Sequence, residues 1–332
     1  MPVRFPNDEC RKAGRFFRTH KPERRIMKKT KMTNREKRNN KNGFLFVLPW
    51  IIGFLLFSLY PIIMSAYYSF TNFSAIKDPE WVGLDNYAYL LKDNLFWTSL
   101  KNTLVYVALS VPITIIVSLI LAVLLKIVKV GKSFFRSVFY MPAIFPVVAS
   151  TIVWLLIFDP ISGYLNRALR MIGLTGENWL GNPPYTKPAL VLMTCWGVGT
   201  TVVIILAAMG DVSNELYEAA EIDGANTFKQ FWYITMPGIA HVLVYQVVLA
   251  IIDGFQYFTQ VYILCSAQSG NLSSGSAGTQ NSLLMYPLYL FQNAFTRLKM
   301  GVASSMAWIL FIIVFVLTLI LLKVSDRFVD VK

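Results

Sequence analysis

Several polar side chains recur at helical spacing within one strongly apolar stretch of this sequence, residues 238–264. Four of them stand at i, i+3, i+4 and i+7, and so would share one face of an α-helix. They are Asp253, Gln256, Tyr257 and Gln260. Carboxylate and amide groups hydrogen-bond to hydroxyls, so this stripe, with Trp196 and Thr200 in another apolar stretch, suits a hydroxyl-rich solute. The stripe could equally bond neighbouring helices, and both interpretations stay open.

A second set of side chains, in the polar insert 211–237 between two apolar stretches, combines carboxylates with small residues. The carboxylates are Asp211, Glu215, Glu218, Glu221 and Asp223. They stand against a single basic side chain, Lys229, and Ala219 and Ala220 leave room for another surface to approach closely. The insert is therefore where a chain otherwise compatible with hydrocarbon can meet a soluble partner.

Local signals predict two short helices in this insert. Ser213 suits the N-cap of a helix over 214–221, because its hydroxyl oxygen can accept a hydrogen bond from a free backbone N–H. Gly224 then permits a sharp turn. Thr227 is expected to cap a second, amphipathic helix, which Pro237 stops or kinks because proline has no N–H to donate.

The composition is that of a polytopic membrane protein. Hydrophobic residues make up 55% of the 332 residues and the mean hydropathy is +0.51, more apolar surface than a soluble globule of this length needs. The net charge of +13 is concentrated in residues 1–43, which hold 15 of the 31 lysines and arginines. A basic tail before an apolar span is typical of a cytoplasmic N-terminus, so the charge does not predict nucleic-acid binding.

Six apolar stretches predict an all-α fold of six transmembrane helices. They are residues 44–70, 102–127, 137–158, 188–209, 238–264 and 302–323. With both termini inside, the cytoplasmic segments hold 23 lysines and arginines and the outer loops hold 8, in agreement with the usual bias of positive charge. The domains are then a cytoplasmic tail (1–43), a six-helix domain (44–323) and a second cytoplasmic tail (324–332).

Two local features refine this prediction. Pro142 and Pro146 are expected to bend the beginning of the third span. Residues 266–282 are rich in serine, glycine and asparagine, which favours a flexible outer loop.

The polar insert resembles the EAA loop of ABC-importer permeases. The residues at that family's spacing are Glu218, Ala219, Ala220, Gly224, Ile234 and Pro237. Met236 replaces the usual leucine, a change that conserves volume. The stretches 135–142, 254–262 and 300–305 are similar to those of the sugar-type permeases of the same family, and the likeness covers residues 44–330.

This resemblance implies the permease subunit of a type I ABC importer for carbohydrate, with a cytoplasmic coupling helix in the insert. The residues implied to dock on an ATPase are Glu218, Ala219, Ala220, Asp223, Gly224 and Pro237. The implied partners are a second permease subunit, two ATPase subunits, an extracytoplasmic solute-binding protein and the lipid bilayer of a bacterial cytoplasmic membrane. The chain itself would hold no cofactor, because ATP and magnesium would bind to the ATPase.

The sequence lacks the residue patterns of an enzyme. A phosphate-cradling loop ending at Gly131, Lys132 and Ser133 would need a glycine where Lys126 stands. No metal-ligand spacing or catalytic triad is present, so a non-catalytic subunit is expected. Two alternatives stay open: the same machinery for a non-sugar or acidic solute (a glycerol phosphodiester, a polyol or an acidic oligosaccharide), or a secondary transporter, which would need no docking loop.

Overall fold

Helices make up almost all the regular structure of this chain. The computed structural model describes residues 34–128, 130–269 and 277–329. Extended pairing within these ranges is limited to the isolated bridges Thr71–Trp81 and Ser74–Lys77. The first 33 residues of the predicted basic tail, residues 270–276 of the predicted outer loop and the last three residues lie outside the described ranges.

The described helices are numbered in chain order. They are α1 (Asn34–Phe54), α2 (Tyr60–Ser69), α3 (Asp85–Lys92), α4 (Asn94–Ile127), α5 (Lys132–Ile144), α6 (Val147–Ile157), α7 (Tyr164–Met171), α8 (Pro183–Trp196), α9 (Gly199–Asp211), α10 (Asn214–Ile222), α11 (Thr227–Gln230), α12 (Met236–Phe255), α13 (Thr259–Ser269), α14 (Tyr286–Phe291) and α15 (Met300–Val329). Short π-helical turns occupy Leu55–Leu59, Phe231–Thr235 and Gln292–Thr296.

Four helical segments are long and apolar enough to cross a membrane, and two bent pairs raise the number to six if each pair is one span. The four are Lys41–Ser69, Asn94–Ile127, Thr227–Gln268 and Met300–Ser325. The bent pairs are α5 with α6 and α8 with α9. The order of these segments follows the six predicted stretches, although α1 begins inside the predicted N-terminal tail and α15 runs past residue 324.

The two bends have different causes. The axes of α5 and α6 meet at 97°, at Phe145 and Pro146, so the prediction of a proline bend is confirmed at Pro146, whereas Pro142 lies inside α5. The 54° bend between α8 and α9, at Gly197 and Val198, was not predicted, because no proline marks it. Neither bent pair contains an unbroken helix long enough to span a membrane. Both pairs pack against other helices, α8 and α9 against α4, and α6 against α13.

Contacts within the chain divide it into two units, residues 1–61 and 62–332. In the second unit, α4 packs against α8, α9, α12 and α14. Small hydroxyl residues line its buried face, and Thr103, Thr114 and Ser118 donate to their own helix at the carbonyls four residues earlier. Small side chains whose polar atoms are satisfied within the helix allow close helix packing where lipid offers little hydrophobic drive.

Part of the predicted flexible outer loop is fixed instead. The amide nitrogen of Asn102 donates to the carbonyls of Asn281 (2.8 Å) and Leu284 (3.0 Å), and Lys187 donates to the carbonyl of Ser282 (2.6 Å). Side chains of α4 and α8 thus hold the segment after residue 277. The serine-rich composition could not predict these bonds, since their donors lie far away in the sequence.

Candidate functional site

The polar insert forms a helical hairpin built from α10 and α11. The hydroxyl of Ser213 caps α10 by accepting from the N–H of Glu215 (3.3 Å), as predicted. After the helix, the N–H of Ala225 donates to the carbonyl of Ala220 (2.8 Å) and the N–H of Gly224 to that of Glu221 (3.0 Å). This is a Schellman motif with Gly224 in the left-handed region (φ 74°), so the predicted turn is confirmed.

The second arm of the hairpin differs from the prediction in its cap, and it excludes one of the two outcomes predicted at Pro237, the end of the helix. Asn226, not Thr227, caps α11, because its side-chain oxygen accepts from the N–H of Lys229 (2.9 Å). Pro237 does not stop the helix: the wide turn Phe231–Thr235 lets the N–H of Met236 donate five residues back, and the helix continues into α12. The π-helical turn accommodates the proline, which has no N–H to donate, and the helical segment does not end there.

One face of the hairpin is open. Glu218, Ala219, Asp223, Gly224 and Pro237 are exposed, and Ala220 is half-buried. Large apolar side chains stand exposed beside them; these are Leu216, Ile222, Phe228, Trp232 and Tyr233. This mixture, hereafter the hairpin surface, has the composition of an interaction site, because apolar patches rimmed by charge usually bind another protein.

The other face of the hairpin is bonded to the membrane helices. The hydroxyls of Tyr217 and Thr235 lie 2.8 Å apart in a hydrogen bond that joins α10 to the second arm. Lys126, at the end of α4, donates to the Tyr217 hydroxyl (3.3 Å) and to the Met209 carbonyl (3.4 Å). This link was not predicted from the sequence, because Lys126 and Tyr217 lie 91 residues apart.

The predicted polar stripe depends on a continuous helix, and that premise is wrong. The helix breaks after Phe255: Gln256 takes a non-helical conformation (φ −101°, ψ 14°) and the next helix begins at Thr259. Close packing accompanies the break, since a Cβ on Gly254 would lie 2.9 Å from Val107 on α4. The polar side chains nevertheless meet, because the irregular segment lies beside a cavity.

The cavity has a volume of about 600 Å³ and lies between α4, α8, α9 and the broken helix. Of the residues that the sequence analysis selected, the ones lining it are Asp253, Gln256, Tyr257, Gln260 and Thr200. A neighbouring cavity of about 300 Å³ shares Tyr257, Gln260 and Thr200, and Trp196 lines this smaller one together with Trp154. The structure thus brings all six residues to two adjoining cavities, while their role in binding stays a prediction.

Two residues of the cavity wall, Tyr106 and Thr194, were not predicted from the sequence. The hydroxyl of Tyr106 lies 2.7 Å from that of Thr194, and the ring centroids of Tyr106 and Tyr257 are 4.7 Å apart. The amide nitrogen of Gln246 is buried with no hydrogen-bond partner among the described residues. Gln246 is one of the polar side chains that recur within residues 238–264, and it stands two helical turns before Asp253.

Comparisons with known proteins show the family of this chain. The family model described as binding-protein-dependent transport system inner membrane component matches residues 102–331. YesP of Bacillus subtilis strain 168, described as a probable ABC transporter permease protein, is 36% identical to this chain; the match covers 88% of this chain and 93% of YesP. AraP of the same organism, an arabinooligosaccharides transport system permease protein, is 35% identical, with 86% and 88% covered.

A solved structure supports the fold. The crystal structure of a bacterial ABC transporter involved in the import of the acidic polysaccharide alginate contains a chain that superposes with a TM-score of 0.74 at 22% identity. The match covers 90% of this chain and 99% of that one. The resemblance predicted from the sequence is confirmed: this chain belongs to the family of inner membrane components of binding-protein-dependent transport systems.

Proposed function

We propose that this chain is the permease subunit through which a carbohydrate, an oligosaccharide above all, passes in an ATP-driven importer. The observation that carries the proposal is the hairpin. One face is exposed and acidic, and the other is bonded to the end of α4 and to the turn that leads into α12. Both helices line the cavity of about 600 Å³, hereafter the central cavity. A partner that moves the hairpin surface would therefore move the cavity walls. The arabinooligosaccharide permease among the relatives agrees with a sugar as cargo.

The proposed partners are supported by this arrangement and by the family. Two ATPase subunits bind ATP and magnesium and supply the energy, one of them docking on the hairpin surface of this chain. A second permease subunit completes the pathway, and a solute-binding protein delivers the cargo from outside. This chain contributes no catalytic residue, crosses the cytoplasmic membrane six times and keeps both termini in the cytoplasm.

In this mechanism the hairpin acts as a lever. Docking residues Glu218, Ala219 and Asp223 receive the push when the ATPase dimer closes. The hydrogen bonds of Tyr217 to Lys126 and Thr235 pass the displacement to the ends of α4 and α12. Because the cavity lies between these helices, their displacement changes which side of the membrane it faces.

The test is a pair of substitutions on the hairpin surface, Glu218→Lys and Gly224→Pro, in the assembled importer. Both should abolish cargo-stimulated ATP hydrolysis and uptake while the subunit stays in the membrane. Glu80→Lys, a matched charge reversal at an exposed position in a predicted outer loop, should leave both activities intact. Wild-type coupling in the Glu218→Lys and Gly224→Pro variants would refute the proposed role.

A further inference from the structure

The central cavity contains a single charged side chain among the described residues that line it. That side chain is Asp253 on α12, and the smaller adjoining cavity has no charged residue in its described lining. We infer that the cavity selects uncharged glycosyl units and excludes uronate units. The inference rests on the proposed function, since it concerns the cargo of the same site.

Charge explains the exclusion. A uronate carboxylate in the cavity would lie near the Asp253 carboxylate without a lysine or arginine in the described lining to offset the repulsion. Like charges repel strongly in a site partly removed from water. Lys101 on α4 and Lys187 on α8 are the lysines nearest in sequence to the lining residues of these two helices, and neither lines the cavity. The Lys187 ammonium donates to the Ser282 carbonyl.

An unpaired polar group explains the affinity for sugars. The amide nitrogen of Gln246 is buried without a hydrogen-bond partner among the described residues, although Gln246 lines the cavity. A buried donor without a partner costs free energy, which a ligand with hydroxyl acceptors would recover. Asp253 complements Gln246 as an acceptor for sugar hydroxyls. The volume of about 600 Å³ falls within the usual range of small-molecule sites.

Gln246 is therefore assigned as a residue that binds the cargo, while Asp253 sets the preference for uncharged units. It stands on the same helix as Asp253, two turns earlier, and its side chain is 4% exposed. Tyr245 is the matched control, since it is adjacent in sequence, exposed and absent from the cavity lining.

The experiment measures direct binding of radiolabelled maltotriose, arabinotriose and trigalacturonate to the assembled permease–ATPase complex in nanodiscs, without the solute-binding protein. At least one neutral trisaccharide should bind tenfold or more tightly than trigalacturonate. Asp253→Asn should reduce this preference at least fivefold, and Asp253→Glu, which keeps the charge, should retain it. Gln246→Leu should weaken neutral binding about fivefold, the loss of one hydrogen bond, and Tyr245→Phe should not.

Several outcomes would overturn the inference. They are trigalacturonate binding as tightly as the neutral sugars, an unchanged preference in Asp253→Asn, and no binding of either neutral sugar to a complex that still hydrolyses ATP. A failure of the proposed function would look different, because it would appear as normal ATPase coupling in the Glu218→Lys complex whatever the sugar titrations give.

Discussion

The hydroxyl of Tyr217 on α10 lies 2.8 Å from the hydroxyl of Thr235, in the turn before α12. This bond closes the hairpin on its inner side, and Lys126 of α4 joins it from the end of another membrane helix. One tyrosine thus connects the hairpin to α4 and to the turn that leads into α12, two of the helices that line the cavity.

Removing the Tyr217 hydroxyl should loosen this connection. Tyr217→Phe loses the hydrogen bonds to Thr235 and Lys126, at about 1 kcal/mol each, and keeps the ring under the Lys126 ammonium (4.6 Å). We expect ATP hydrolysis to continue with less cargo moved per ATP. Tyr233→Phe, at an exposed tyrosine of the same hairpin, is the control. An unchanged ratio of transport to hydrolysis in Tyr217→Phe would show that the bond transmits nothing.

Gly224→Ala should weaken the turn through backbone conformation alone. The glycine has a φ of 74°, which costs an L-residue about 1–2 kcal/mol, whereas an added Cβ would meet no atom within 4 Å. Amide hydrogen exchange of 219–225 should therefore accelerate roughly five- to thirtyfold. Gly210→Ala, at a helical glycine with equally open surroundings, should not accelerate exchange. Equal exchange in both variants would contradict the argument.

The sequence predicted most of the fold because each span and cap depends on neighbouring residues. The apolar stretches, the Ser213 cap and the Gly224 turn follow from local chemistry. The structure contains the cap, the turn and four helices long enough to cross a membrane, and two bent helix pairs lie at the other two stretches. Predictions from neighbouring residues were wrong where a π-helical turn or a contact distant in sequence changes the path of a helix. Pro237 does not end its helix because a π-helical turn precedes it, and the α8–α9 bend leaves no proline signal.

The candidate site was predictable in its members and not in its geometry. Helical spacing selected Asp253, Gln256, Tyr257 and Gln260, and these four do line one cavity. The spacing argument assumed an unbroken helix, which the structure does not have. The contribution of α4 through Tyr106 was beyond reach, since its partner Thr194 is 88 residues away in the sequence.

Gly199 should tolerate no side chain at all. A Cβ there would lie 2.4 Å from the carbonyl oxygen of Phe139 and 2.8 Å from the Cα of Tyr140, both backbone atoms of α5. No rotamer change can relieve such a contact, so Gly199→Ala should push α5 away from α9. We expect the free energy of unfolding to fall by about 1–3 kcal/mol and the melting temperature to fall with it. Gly197→Ala, whose Cβ would meet only the Thr194 carbonyl at 3.6 Å, serves as the comparison. Equal melting temperatures of the two variants in detergent would exclude the contact.

The turn after α6 should depend on pH through Asp159. The backbone N–H (2.7 Å) and hydroxyl of Ser162 and the N–H of Ile161 donate to this carboxylate, and these bonds lower its pKa. A lowered folded-state pKa means that the stabilisation is present above the unfolded value of about 4 and is lost as pH falls through the folded value. The protection of residues 161–163 against amide hydrogen exchange, corrected for the pH dependence of the intrinsic exchange rate, should therefore decrease as the pH falls from 7 to 2.

Asp159→Asn supplies the control for this titration. Its amide oxygen can still accept from Ile161 and Ser162 but has no charge to lose, so protection in the variant should be weaker at pH 7 and nearly constant with pH. An equal decrease in both proteins would assign the pH dependence to another group.

The Asp93 carboxylate makes two separate hydrogen bonds, and two substitutions should distinguish their contributions. One carboxylate oxygen caps α4 by accepting from the N–H of Leu95 (2.9 Å), and the other accepts from the hydroxyl of Tyr289, to which Arg297 donates (3.0 Å). Asp93→Asn should keep the cap and weaken the charge-assisted bonds. Asp93→Ala should lose the cap as well, at a further cost of about 1 kcal/mol.

Exchange of two segments distinguishes these effects. Both Asp93 variants should accelerate exchange in α14, which the Tyr289 hydroxyl bonds to the N-cap of α4. Only Asp93→Ala should also accelerate exchange in the first turn of α4. Tyr289→Phe provides the complementary case, since it removes the hydroxyl and leaves the cap untouched. Faster exchange at the α4 N-terminus in Tyr289→Phe would mean that the network, rather than the Asp93 cap, holds the beginning of that helix.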